Sequence, residues 1–170
     1  LASALNDLAL HEEARLAGER AVQLIAELPD AHVNLGNALL GLGHYEAAQA
    51  KYTAALERDP QHSGAWFNLG NALADSGNFR AAVPSYEKAV QFEPVNSDAY
   101  YNLANAYQQL DAFTDAIKSF ERALEIDPDH IDAKCNLASA WQSLGYSDRA
   151  IEILRDSIAQ EMLRGDNESV

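Results

Sequence analysis

The stretch AWFNLGNALADSGNFRAAVPSYEKAVQFEP, residues 65–94, contains two apolar patterns separated by a short polar turn. In both halves the apolar residues recur at the spacing of a single helix face. They are Trp66, Leu69 and Leu73 in the first half and Phe79, Ala82, Val83, Tyr86 and Ala89 in the second. Gly77 lies between the halves, where a left-handed residue can end the first helix. The stretch therefore predicts a helical hairpin.

The same pattern recurs along the chain at intervals of 34 residues. The clearest rows are Asn34, Asn68, Asn102 and Asn136; Leu35, Leu69, Leu103 and Leu137; Ala48, Ala82, Ala116 and Ala150; and Pro60, Pro94 and Pro128. Another row holds only small residues, where two helices must approach closely. Its members are Gly36, Gly70, Ala104 and Ala138. One hairpin cannot bury its apolar face alone, so the period predicts stacked hairpins with a continuous core.

This register resembles the tetratricopeptide repeat, a helix–turn–helix unit of the same length. The resemblance implies an all-α fold: a right-handed superhelical solenoid of antiparallel helix–turn–helix repeats, with a concave face formed by the first helix of each unit. We expect a single array over residues 1–162. It divides into a partial repeat at 1–28, full repeats at 29–62, 63–96 and 97–130, and a degenerate capping repeat at 131–162, followed by a polar tail at 163–170.

The helix bounds expected from this register are 11–28, 30–42, 45–58, 64–76, 79–92, 98–110, 113–126, 132–144 and 147–162. Pro84 removes one backbone hydrogen bond from its helix, so we expect a mild bend there rather than a break. Asp111 occupies a turn position that is glycine in the other full units. Gly18 stands where a tyrosine or phenylalanine normally packs, and we expect the leading helix to be poorly anchored there.

The resemblance assigns the inner surface of the array to fixed positions, and two of these carry rows of asparagine. One row is Asn34, Asn68, Asn102 and Asn136, and the other is Asn37, Asn71 and Asn105, followed by Ser139. An asparagine amide offers an acceptor and two donors, so it can pair with the backbone of an extended peptide without reading its side chains. First helices about 10 Å apart would meet about every third peptide residue. The groove is similar to that of O-GlcNAc-transferase-type arrays. Alternatively, the asparagines stabilise neighbouring helices.

Other inner positions set the expected preference for a ligand. Phe67 and Tyr101 are either apolar anchors for a partner or simple packing residues. Asp98 and Asp132 add negative charge, and no lysine or arginine occupies the groove rows of the three full repeats or of the capping repeat. The lysine and arginine of the family's clamp for acidic tails are therefore missing. We expect an extended ligand of neutral or basic character.

The formal net charge of −14, from 26 acidic and 12 basic residues, argues against binding to nucleic acid or to anionic membranes. No apolar run approaches the length of about 18 residues that inserts into a membrane. We find no glycine-rich phosphate loop and no nucleophile elbow, and we expect no cofactor, metal or catalytic residue. The five histidines are expected to be solvated, and the single cysteine, Cys135, to be buried or half-buried.

These patterns predict a noncatalytic protein–protein interaction scaffold that binds an extended peptide in its concave groove. One alternative is a structural protein that self-associates into a homo-oligomer through its imperfect ends. Another is the recognition arm of a larger enzyme, because the chain begins partway through a repeat and without methionine. The expected location is cytoplasmic.

Overall fold

A computed structural model describes the backbone of residues 2–167 and the side chains of residues 8–159. Within these ranges every regular element is an α-helix. In chain order the helices are α1 (Ala2–Leu24), α2 (Pro29–Gly41), α3 (Tyr45–Arg58), α4 (Ser63–Asp75), α5 (Phe79–Phe92), α6 (Ser97–Gln109), α7 (Phe113–Ile126), α8 (Ile131–Ser143) and α9 (Ser147–Asn167).

Eight of these helices form four hairpins, each with a first and a second helix: α2 with α3, α4 with α5, α6 with α7, and α8 with α9. Helices α1–α5 form one compact unit, and helices α6–α9 form another. Inside each unit, the second helix of one hairpin also packs against the first helix of the next, as α3 does on α4 and α7 on α8. The expected all-α solenoid of helical repeats is confirmed.

The core of each unit is built around large rings of the second helices, one each in α3, α5 and α7. Tyr52, Tyr86 and Phe120 are the largest fully buried side chains among the described residues. In the first unit the rings lie against glycine: a Cβ added at Gly36 or Gly70 would lie 2.5 or 2.6 Å from the nearest ring atom. The small-residue row is thus the place where a ring of the second helix crosses the first helix.

The first helices end on a left-handed residue. Gly43, Gly77 and Gly145 have φ angles of 74°, 81° and 86°, and Asp111 adopts a φ of 57° at the equivalent position. Glycine takes this conformation without steric cost, whereas an L side chain does not. The departure at Asp111 therefore leaves the turn intact and adds a local strain.

Four histidines contradict the expectation that all five are solvated, since His32 is buried and His11, His62 and His130 are half-buried. His32 is only 5% exposed, because its Nε2 lies 2.9 Å from the carbonyl oxygen of Ala26 in the preceding turn. His62 and His130 are half-buried N-caps. Each ring accepts a hydrogen bond from a backbone N–H in the first turn of its helix.

The observed helix bounds agree best with the predicted ones inside the array. The second helices of the three full repeats have the predicted bounds, and the first helices begin and end one residue earlier. At the ends, α1 runs unbroken from Ala2 to Leu24, and α9 continues to Asn167 through part of the predicted tail. Position 9, equivalent to the helix-ending Gly43, is alanine, so nothing interrupts α1 there. Helix α5 continues through Pro84.

Candidate functional site

Helices α2 and α4 carry what we call the first asparagine face: Asn34 and Asn37 on α2, and Asn68 and Asn71 on α4. Both asparagines of α2 are exposed, and both of α4 are half-buried. Because residues three apart share a helix side, each pair lies on one face of its helix. The sequence-predicted residues of this unit are thus brought together on neighbouring helices.

Hydrogen bonds link this face to the core. The Oδ1 of Asn37 accepts from the Tyr52 hydroxyl at 2.8 Å and from the Nδ2 of Asn68 at 3.0 Å. The Tyr86 hydroxyl donates to the Oδ1 of Asn71 at 2.8 Å. Asn37 therefore satisfies the hydroxyl of a buried ring and ties two successive hairpins, which is the stabilising role that the sequence left as an alternative.

The second asparagine face consists of Asn102 and Asn105 on α6 and Asn136 on α8, all half-buried. The Nδ2 of Asn136 donates to the Oδ1 of Asn105 at 3.0 Å and to the Tyr101 hydroxyl at 3.3 Å. The bond between hairpins is the same as in the first unit. The ring below it belongs to Phe120, which has no hydroxyl to donate.

A groove of about 490 Å³ opens between α1 and α2 beside the first asparagine face. Its lining is mostly small and apolar: His11, Ala14, Ala17, Gly18, Ala21, Asn34, Asn37 and Ala38. Asn34 has no hydrogen bond within the described part of the chain. This groove was not predicted from the sequence, although the spacing of small residues in α1 was a visible signal.

Gly18 does not leave α1 poorly anchored. It is buried, and a Cβ added there would lie 3.0 Å from the Cα of Leu35. The missing side chain lets the backbone of α1 approach α2 closely, so the expected weak point is a close contact. A large ring at this position would not fit without moving α1.

Phe67 and Tyr101, the expected anchors or packing residues, contact rings of their own hairpins. The ring centroid of Phe67 lies 6.2 Å from that of Tyr86, and the centroid of Tyr101 lies 5.9 Å from that of Phe120. Cys135 occupies the equivalent position on α8 and is exposed, which contradicts the expected burial. The second helix of its hairpin has Leu154, itself 39% exposed, in place of a ring, so nothing large covers the cysteine.

Acidic side chains lie near both asparagine faces. Asp98 and Asp132 are exposed, and Asp98 Oδ1 lies 4.0 Å from the Nε2 of His130. In the first unit, burial raises the pKa of Tyr52 and Tyr86 well above the usual value, and the negative charge of Asp75 raises both further. Asp75 therefore places a carboxylate near the hydroxyls that meet Asn37 and Asn71.

The described residues form neither a metal site nor a membrane-spanning helix. No group of three or more histidine, cysteine, aspartate or glutamate side chains among the described residues is arranged to hold a metal ion. Over the same part of the chain, the helices are too short or too polar to cross a membrane.

Several solved structures are similar to this chain. The crystal structure of MamA superposes with a TM-score of 0.86 at 21% identity, covering 92% of this chain and 91% of that one. MamA from Desulfovibrio magneticus RS-1 gives 0.76 at 22%, covering 92% and 96%. YrrB, described as "a TPR protein with an unusual peptide-binding site", gives 0.77 at 22%, covering 99% and 87%. At these identities the likeness is one of fold.

Sequence comparison identifies the repeats directly. No curated protein is detectably similar in sequence. Two family profiles match, over residues 33–91 and 97–130, and both describe the tetratricopeptide repeat. Together the matches span more than half of the chain, in the register that the asparagine, leucine and alanine rows define. This chain therefore belongs to the tetratricopeptide-repeat family, whose members mediate protein–protein interactions.

Proposed function

We propose that this chain is a noncatalytic interaction scaffold whose first asparagine face binds an extended peptide of neutral or basic character. The observation that carries the proposal is the groove between α1 and α2. It is largely apolar, and Asn34 on its border is exposed and has no hydrogen bond within the described residues. An apolar cleft bordered by a small number of polar groups is the usual form of a binding site.

The two asparagines of α2 have different roles in this proposal. The amide of Asn34 is available to pair with one peptide unit of the ligand, as acceptor and donor together. The Oδ1 of Asn37 already accepts two hydrogen bonds, so this residue holds the face in shape and offers the ligand only its Nδ2 donors. A small apolar side chain of the peptide fills the groove beside Ala14 and Ala21.

Charge supports the preference for a neutral or basic ligand. The carboxylate of Asp75 lies close enough to the two buried tyrosines to raise the pKa of both. The chain as a whole carries a net charge of −14, which favours the approach of cations and opposes that of acidic segments. On the second asparagine face, the exposed Asp98 and Asp132 extend the same preference.

The remaining candidate residues, Phe67 and Tyr101, have a smaller role in the proposed binding. Phe67 and Tyr101 pack on rings of their own hairpins, and each keeps part of its surface accessible. In its own unit, each ring forms a side wall for a ligand rather than a deep anchor. YrrB, with its peptide-binding site, is similar in fold, and that similarity supports a peptide as the kind of ligand.

Selection from a random peptide library displayed on phage, followed by fluorescence polarisation with the selected peptides, tests the proposal. We expect neutral to basic sequences, and we expect Asn34→Ala to weaken binding by about fivefold, the loss of roughly one hydrogen bond. The melting temperature should not change, because Asn34 has no hydrogen bond to lose among the described residues. Gln23→Ala, an exposed amide of α1, is the matched control.

Two results would contradict the proposal. One is the selection of acidic peptides, which the charge of this face should repel. The other is equal affinity for wild type and Asn34→Ala, found together with full competition among the selected peptides. The peptides would then share one site, and the amide of Asn34 would not contribute to it. Asn68→Ala is less informative alone, since it also removes the hydrogen bond to Asn37.

A further inference from the structure

Helix α9 exposes an apolar stripe beside the face that packs on α8. Ile151, Leu154 and Ile158 are 49%, 39% and 61% exposed, and they recur at the spacing of one helix face. Ala150 and Ser157 on the neighbouring face are buried, and Ile153 packs with the core around Trp141. The stripe therefore extends the apolar surface of α9 beyond the residues that hold the helix in its hairpin.

The repeat register shows what this face does elsewhere in the chain. The equivalent residues of α3 are Gln49, Tyr52 and Leu56, and those of α7 are Ile117, Phe120 and Leu124. In α3 this face packs on α4: Tyr52 and Leu56 share a core cluster with Ala65 and Ala72, and Gln49 donates to the carbonyl of Ala72 at 3.2 Å. In α7 the face packs on α8 in the same way. The stripe of α9 thus corresponds to a surface that packs against another helix in α3 and α7.

The charged residues on the border of the stripe indicate which helix packs on it. Asp148 and Arg155 are seven residues apart, or two helical turns, on the same edge of the stripe, and both are exposed. Neither takes part in an ion pair within the described part of the chain. In an antiparallel arrangement with a two-fold axis near Ile151, Asp148 of each copy lies opposite Arg155 of the other. A two-fold interface uses the same patch twice, which matches a patch carrying both charges.

The same two-fold axis gives Ile158 a place to pack. It brings Ile158 of one copy to the level of Tyr146 in the other, at the start of α9. The ring of Tyr146 is 59% exposed and borders a depression of about 530 Å³ together with Asp148 and Glu152. Each end of the helix pair therefore has an apolar side chain and an apolar surface to cover it.

We propose that the α9 stripe is a homodimerisation surface, in which two copies of this chain pair their α9 helices antiparallel with reciprocal Asp148–Arg155 ion pairs. The peptide-binding proposal concerns α1–α5, and neither proposal requires the other. An interface of two short helices is small, so the dimer is weak and concentration-dependent. The net charge of −14 on each copy adds a repulsion that salt screens.

Sedimentation equilibrium of the full chain over about 10 to 500 μM, the range suited to a small interface, tests this proposal. The average mass should rise from 18.5 kDa toward twice that value. Ile151→Lys should abolish the rise. Arg155→Asp and Asp148→Arg should each weaken association about tenfold or more, because each sets like charges opposite one another. Arg20→Asp, the same change on the exposed face of α1, should have no comparable effect.

Mixing the two charge variants tests the geometry specifically. In a mixed antiparallel pair, the two arginines of the Asp148→Arg chain meet the two aspartates of the Arg155→Asp chain, so the mixture should associate more strongly than either variant alone. Circular dichroism confirms that the variants remain folded. A wild type that stays at 18.5 kDa at the highest concentration overturns the proposal. A failed mixture overturns the two-fold pairing, as does growth beyond a dimer, which indicates head-to-tail contacts.

Discussion

At the scale of single residues, the partner of each buried ring decides what the small-residue row tolerates. Gly36 faces Tyr52 and Gly70 faces Tyr86, and in both cases the tyrosine hydroxyl continues to an asparagine. In the third hairpin the small residue is Ala104, and the second helix carries phenylalanine instead. Glycine accompanies the ring that must reach a hydrogen-bond acceptor, and alanine accompanies a ring that need not.

Gly70→Ala should destabilise the protein by roughly 1–2 kcal/mol, since overpacking costs more than helix propensity returns. The new Cβ would lie 2.6 Å from the ring of Tyr86, which is 2% exposed and cannot move freely. Gly64→Ala, in the same helix, meets nothing closer than 3.4 Å and should be neutral or stabilising by about 0.5 kcal/mol. Urea unfolding of the two variants measures the difference.

The double variant Gly70→Ala/Tyr86→Phe reproduces the pair found in the third hairpin. The double variant should be more stable than the sum of the two single losses predicts, because a phenylalanine ring can shift away from the new Cβ without breaking a hydrogen bond. Additive destabilisation by the two substitutions would show that the glycine is not explained by the hydroxyl.

At the scale of helices, the N-terminal caps connect one repeat to the next. The Nδ1 of His62 accepts from the backbone N–H of Ala65 at 3.1 Å, so the ring proton is on Nε2, which donates to Asp30 Oδ1 at 3.0 Å. The same ring thus caps α4 and contacts the start of α2, one repeat earlier. His44 precedes α3 but makes no such cap.

His62→Ala should therefore lower the free energy of unfolding by about 1 kcal/mol, the usual loss on removing a cap. His62→Asn should restore most of it, because asparagine is a good N-cap, though the contact with Asp30 is lost. His44→Ala is the control and should change stability by less than about 0.5 kcal/mol. Thermal and urea unfolding measure these effects; equal losses at His62 and His44 would refute the capping role.

At the scale of the whole molecule, the repeat interval predicted the interior helices to within one residue, because proline and the turn glycines recur with it. It did not predict which groups bond between hairpins. The pairing of Asn37 with Asn68 depends on how two helices rotate about their axes, and a row of identical residues contains no such information. The ends deviated most, since α1 lacks the glycine that breaks the other helices and Met162 stands where the other units have the proline that follows the second helix.

The two units should also differ in their response to alkaline pH. Tyr52 and Tyr86, both in α1–α5, have a pKa raised by burial and then by Asp75, whereas the buried ring of α7 is Phe120. Because the folded state holds these protons more tightly, their contribution is complete below the unfolded value of about 10 and is lost as pH rises above it. Each tyrosine can reduce stability by up to about 1.4 kcal/mol per pH unit in that window.

Each unit contains one tryptophan, Trp66 or Trp141, so two single-tryptophan variants report on the units separately. From about pH 9 to about pH 11, on either side of the unfolded tyrosine pKa, the urea midpoint seen by Trp66 should fall more than that seen by Trp141. Tyr52→Phe/Tyr86→Phe should remove the extra fall, and Tyr146→Phe, at an exposed ring, should not. If the Trp66 midpoint falls equally with and without the two tyrosines, the buried hydroxyls are not the cause. The hydroxyl bonds to Asn37 and Asn71 would then carry no measurable share of the alkaline stability of this unit.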